Sequence, residues 1–163
     1  MHPTTSESAV SPRAFLISDH ARLARLGEKL LISARAGDPP DVCPSWNEFE
    51  QGLLAHLEAE EVELLPHFEA GHRLETDALR LEHARIRHLV DKMGLSVELH
   101  EAKADALEEL LRIIREHSAR EENLLYRWTD KNLPPPLRAR LLARLRRTVS
   151  QASPAPRPSE APR

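Results

Sequence analysis

The chain has 163 residues, a formal net charge of −3 and 30% charged residues. That length suits one domain with a core of its own, and so mild a charge argues against a nucleic-acid or membrane partner. Only 4% of the chain is aromatic, with five glycines and a single cysteine, Cys43. Alongside abundant Leu, Ala, Glu and Arg, this points to an all-α protein without an intrachain disulfide, in keeping with a reducing cytoplasm. No apolar run reaches the roughly 20 residues of a membrane span and no signal-peptide core opens the chain, so a soluble cytoplasmic protein is expected.

Residues 1–10 are polar and rich in Ser and Thr, and are expected to be disordered. Ser11-Pro12 reads as an N-cap followed by proline in the first turn. The first helix should run from there to about Ala36, stopped by Gly37 and the Pro39-Pro40 pair. Pro44-Ser45 marks the next start, and a second helix extends towards Gly71 with a kink or break expected at Pro66. A third helix is predicted from Thr76 or Asp77 to about Gly94, and a fourth over 102–129. Pro134-Pro135-Pro136 then precedes a short amphipathic helix from Leu137 to about Val149. The Pro-rich segment 150–163 is expected to be a disordered tail. Short linkers favour an up-down-up-down antiparallel four-helix bundle.

Apolar periodicity places the stripes that face the core. They are Leu16, His20, Leu23, Gly27 and Leu30; Phe49, Leu53, His56, Glu60, Leu64 and His67; Leu79, His83, Ile86, Val90 and Met93; and Leu110, Ile114, His117, Glu121, Leu124 and Trp128. A single pattern therefore occurs twice. A His follows an acid (Asp19-His20, Glu82-His83), and a His-x-x-x-Glu pair (His56 and Glu60, His117 and Glu121) follows 36 or 34 residues later. The i, i+4 spacing sets each His and Glu on one helix face. At about 1.5 Å of rise per residue, all six come to nearly the same level of an antiparallel bundle.

Six polar side chains in core positions are costly unless something satisfies them. Histidine and carboxylate together are ligands for iron, manganese or zinc, and the absence of thiolate favours iron or manganese over zinc. Two metals about 3.5–4 Å apart are a common arrangement for such clustered ligands. Asp19 and Glu82, each adjacent in sequence to a ligand, are expected to point away from the core while lying near enough to polarise a ligand.

The segments LISDHARL, LLAHLEAEEVELLPHFE, LRLEHARIRHLV and HSAREENLLYRWTDKNLP resemble the hemerythrin family in its HHE-type cation-binding branch. The resemblance covers about residues 12–148 and every position of its His, His-x-x-x-Glu, His, His-x-x-x-Glu motif is filled. On it, residues 11–149 would form the bundle domain. It implies a centre of two non-haem iron ions, with His20, His56, His83 and His117 as terminal ligands and Glu60 and Glu121 as bridges. It further implies a small diatomic ligand or peroxide as partner. Oxygen-carrying members have a further His one turn after the third ligand, where this chain has Arg87, with His88 out of phase. They also carry a five-residue His-to-Asp spacing in the last helix, where Glu122 stands. A missing imidazole leaves room at the metals for oxygen, peroxide or nitric oxide.

The expected function is thus binding or sensing of oxygen, nitric oxide or iron. The alternative is an enzyme acting on peroxide, catalase-like, or on nitric oxide in stress protection. A ferritin-like site needs paired Glu-x-x-His motifs, and that spacing occurs only at Glu69 and His72. A metal-free interaction module would leave six core polar residues without a common partner. Of the remaining histidines, His2, His72 and His100 are expected to be solvated, and His67 to end the bundle. Cys43 reads as an incidental thiol. The arginines at 138, 140, 144, 146 and 147 read as a solvated face, with Leu137, Leu141 and Leu145 covering the bundle. Trp46, Phe49, Phe68 and Trp128 read as core or bundle-end packing.

Overall fold

The computed structural model describes residues 11–37 and 39–151, without the side chains of 39–43 and 148–151. The expectations for residues 1–10, His2 and the Cys43 side chain therefore lie outside the described residues. Seven helices are present among the described residues: α1 (Pro12–Ala36), α2 (Pro39–Glu63), α3 (Leu65–Phe68), α4 (Arg73–Glu98), α5 (Ala104–Asn123), α6 (Leu125–Asn132) and α7 (Pro135–Gln151). The long helices α1, α2, α4 and α5 form the bundle, with α1 against α2 and α5, and α4 against α2 and α5.

Local chemistry sets the ends of α1 as expected. The Ser11 hydroxyl accepts from the Ala14 amide at 3.3 Å, and Gly37 closes the helix in the left-handed region at φ 70°. Elsewhere the boundaries move. Helix α2 starts at Pro39 and carries Pro44 within it, so Pro44 does not open the helix. Gly94 lies inside α4, which runs on to Glu98. A Cβ on Gly94 would meet Glu50 Oε1 at 3.2 Å and Trp46 Nε1 at 3.3 Å, so close approach of α2 explains this glycine better than a helix stop.

Both helices that carry a His-x-x-x-Glu pair break shortly after their Glu. Pro66 interrupts the second at Leu64, leaving α3 as a single turn, while Leu124 (φ −117°, ψ −75°) separates α5 from α6 without any proline. The second break shifts the buried face. Leu125, Tyr126 and Thr129 are buried, whereas the expected stripe residues Leu124 and Trp128 are half-buried.

Two apolar cores flank the middle of the bundle. One gathers Leu23, Trp46, Phe49, Leu53, Val90 and Leu110 among others; the other gathers Leu16, Phe68, Leu79 and Leu125 with Leu141 and Leu145 of α7. Helix α7 thus covers one end of the bundle, packing on α2 and α1. Its arginines are engaged as well as exposed. Arg140 and Arg144 reach Glu63, Arg144 also reaches Glu58, and Arg138 donates to the carbonyls of Asp130 and Leu133. No helix among the described residues is long and apolar enough to cross a membrane.

Candidate metal centre

Between the two cores, α1, α2, α4 and α5 bring His20, His56, Glu60, His83, His117 and Glu121 together, all buried. They form two four-membered groups, His20, His56, Glu60 and Glu121, and Glu60, His83, His117 and Glu121. Each group offers one ligand atom per residue, all within 4.8 Å of one another. The halves match in detail: the His20 and His56 rings lie 4.7 Å apart, and the His83 and His117 rings 4.8 Å.

Both carboxylates span the halves. Glu121 Oε1 lies 3.0 Å from His117 Nε2 and 3.1 Å from His83 Nε2, while its Oε2 faces His20 Nε2 at 3.4 Å. Glu60 Oε1 lies 3.4 Å from His56 Nε2, and its Oε2 lies 3.7 Å from His83 Nε2. Three of these buried atoms, Glu60 Oε2, Glu121 Oε2 and His117 Nε2, make no hydrogen bond. His117 Nε2 is near Glu121 but not aligned with it. Unpaired buried oxygen and nitrogen donors that converge on common points fit a cation, because each would otherwise cost about 1–3 kcal/mol.

Every imidazole is turned inward by a carboxylate on its outer nitrogen. Nδ1 of His20, His56, His83 and His117 lies 3.0, 2.8, 2.9 and 2.8 Å from Glu122, Asp19, Glu61 and Glu82 respectively. This leaves all four Nε2 atoms for the centre, the usual support of a metal-bound histidine. Asp19 and Glu82 therefore do not point away. Each serves the second His of its own copy, across the helix interface, since neighbours along a helix face different directions. Glu61 and Glu122, each following a ligand Glu, serve the first His of the other copy. Three of the four acids are themselves fixed by arginine: Asp19 by Arg22, Glu61 by Arg87 and Glu82 by Arg120.

Tyr126 is the site residue that sequence periodicity misses. Its buried hydroxyl donates to Glu60 Oε1 at 2.5 Å and lies 2.8 and 3.1 Å from Nε2 of His20 and His56. On an unbroken helix, a residue five positions after Glu121 would point about 140° away. The break at Leu124 turns it in.

Protonation follows the geometry. Burial lowers the His56 pKa, but the Glu60 charge and the hydrogen bond to Asp19 outweigh it and raise it to about 10. His117 rises to about 9, the Glu121 charge and the hydrogen bond to Glu82 outweighing burial, and His83 also rises. Glu121 is held well below the ordinary carboxylate value, His117, His20 and His83 overcoming its burial. Burial and the charges of Glu60 and Glu121 push Tyr126 well above its ordinary value. Without a cation, protons on His56, His83 and His117 would offset carboxylate charge.

The other histidines stay out of both groups. His88 and His67 are exposed, His100 is exposed with φ 57°, and His72 is half-buried, stacked on Phe68 at 4.3 Å rather than solvated. Glu69 pairs with Arg80, so it forms no Glu-x-x-His site with His72.

A helical bundle with a buried His and carboxylate centre defines the class: a metal-binding helical protein. The chain belongs to the hemerythrin HHE cation-binding family, whose model matches residues 11–129. Searches of curated proteins and of solved structures gave no match.

Proposed function

We propose that the protein holds two non-haem iron ions and uses them to bind or sense oxygen or nitric oxide, or to hold iron itself. The observation that carries this reading is the bridging posture of Glu60 and Glu121, each presenting one oxygen to either histidine pair. His20 and His56 would hold one ion and His83 and His117 the other. Oxygen and nitrogen donors without thiolate suit iron or manganese. When bound, such a pair supplies redox chemistry and open positions for a small ligand. The chain's own residues orient the imidazoles through the four outer carboxylates.

Tyr126 favours a second reading, an enzyme acting on peroxide. Its hydroxyl keeps a proton at neutral pH, beside Glu60 and the first His pair, where a reacting oxygen could accept it. General acid assistance of this kind contributes about 10²–10⁴-fold.

Iron-loaded protein exposed in turn to oxygen, nitric oxide and peroxide separates these readings. Reversible visible bands with oxygen or nitric oxide support binding. Steady consumption of peroxide, lost in Tyr126→Phe with metal content unchanged, supports the enzyme. Loaded protein that responds to none of the three ligands contradicts both readings.

A further inference from the structure

A cavity of about 430 Å³ lies between α1 and α5, directly against the centre. Its inner wall carries His20, His56, His117 and Glu121; Leu23, Phe49, Leu53, Leu57, Leu111 and Ile114 make most of the rest apolar, with Glu28, Arg115 and Glu122 as further charged lining. Glu121 and His117 are more than nine-tenths buried and turn unpaired atoms, Oε2 and Nε2, to this centre. A diatomic molecule or a water needs only about 30 Å³, whereas an engineered apolar cavity of about 150 Å³ takes up benzene. Pockets for organic ligands run from about 300 to 1,000 Å³. The chamber is therefore sized for an organic molecule rather than for the small ligand alone.

The near-symmetry of the two copies relates this chamber to the face between α4 and α2. Arg87, four residues after His83, spans to Glu61 and closes the face between α4 and α2. The matching position four residues after His20 is Ala24, which is exposed and lines the chamber with Ala21, Ser118 and Ala119. The matching acid, Glu122, has no arginine among its hydrogen-bonding or ion-pair partners and holds His20 alone. One arginine-to-alanine difference between the copies thus removes the lid and leaves a crevice.

We infer that this chamber is a binding site for one uncharged apolar organic molecule of fused-ring size, held against the ligand imidazoles. The apolar side chains of the wall favour an apolar guest, which removes them from water. The inference goes beyond the metal reading and does not rest on it, since the apolar wall is formed by residues outside the ligand set.

The test is calorimetric and NMR titration of the full chain with naphthalene, in metal-loaded and metal-free forms. Ala24→Arg restores the lid and its pairing with Glu122; Ala24→Trp fills the mouth; Ala24→Ser is the small control. The expected result is saturable binding of one naphthalene per chain to the wild type and Ala24→Ser. Ala24→Arg and Ala24→Trp should bind at least about tenfold more weakly, a difference readily resolved by titration, with unchanged helical content and metal content. No saturable binding by the wild type, or equal binding by all four proteins, overturns the inference. Failed metal loading with intact naphthalene binding would sink the metal reading and leave the chamber standing; the reverse pattern would do the opposite.

Discussion

The metal reading depends on small geometric facts, chiefly the four carboxylates on the outer nitrogens. Asp19→Ala frees both His56 and Arg22, so it should weaken metal affinity by about 10–100-fold while leaving the ligand set intact. Competition with a coloured chelator measures this, and an unchanged affinity would show that Asp19 serves only packing. His88→Ala should leave affinity unaltered, as its side chain is exposed. Tyr126→Phe removes one donor from Glu60 and should destabilise the metal-free protein by about 1–3 kcal/mol, read from denaturant melts. At this scale the sequence was legible where one helix face sufficed: His20, His56, Glu60, His83, His117 and Glu121 converge as their spacing implies. Asp19, Glu61, Glu82 and Glu122 act across interfaces, which periodicity along one helix cannot reveal. Tyr126 was hidden by a break that no proline or glycine announces.

At the scale of elements, the breaks and the last helix are what the sequence underspecifies. Pro66 signals its break, but Leu124 departs from helical geometry between two runs of helix-favouring residues, and the packing of Tyr126 and Leu125 overrides their propensity. Gly94 looks like a stop and Pro44 like a start, yet both are interior positions: α2 approaches Gly94 closely, and α2 already begins at Pro39. Helix α7 lies beyond the family match, yet Leu141 and Leu145 are fully buried. Leu141→Ala should therefore cost about 2–5 kcal/mol, as for a core leucine in the bundle itself. A cost below about 0.5 kcal/mol, typical of surface changes, would mean that α7 is an appendage.

For the whole molecule, the buried cluster links folding, protons and metal. His56 and His117 have folded pKa values of about 10 and about 9, above the ordinary 6.5. Their contribution is fully present below pH 6.5 and is lost as pH rises through those values. Asp19 and Glu121 are shifted below their ordinary 3.8 and 4.5, so their contribution is present above those values and is lost as pH falls through the lowered ones. Metal-free protein should accordingly be most stable between about pH 4.5 and 6.5, and its Tm should fall towards pH 9. A Tm that rises over that upper range would contradict the protonation scheme. Metal uptake should release protons and tighten as pH rises from 6 to about 9, because imidazole must be neutral to bind a cation.

The central claim is the proposal that Glu60 and Glu121, with the four imidazoles, would together hold a pair of metal ions. Metal content per chain after anaerobic loading with ferrous iron and removal of excess tests it most directly, with wild type and Glu121→Ala side by side. The account predicts about two ions for the wild type, as two ligand groups sharing both carboxylates require, and a clear loss for the variant. No bound iron in the wild type, or equal iron in both proteins, would contradict it.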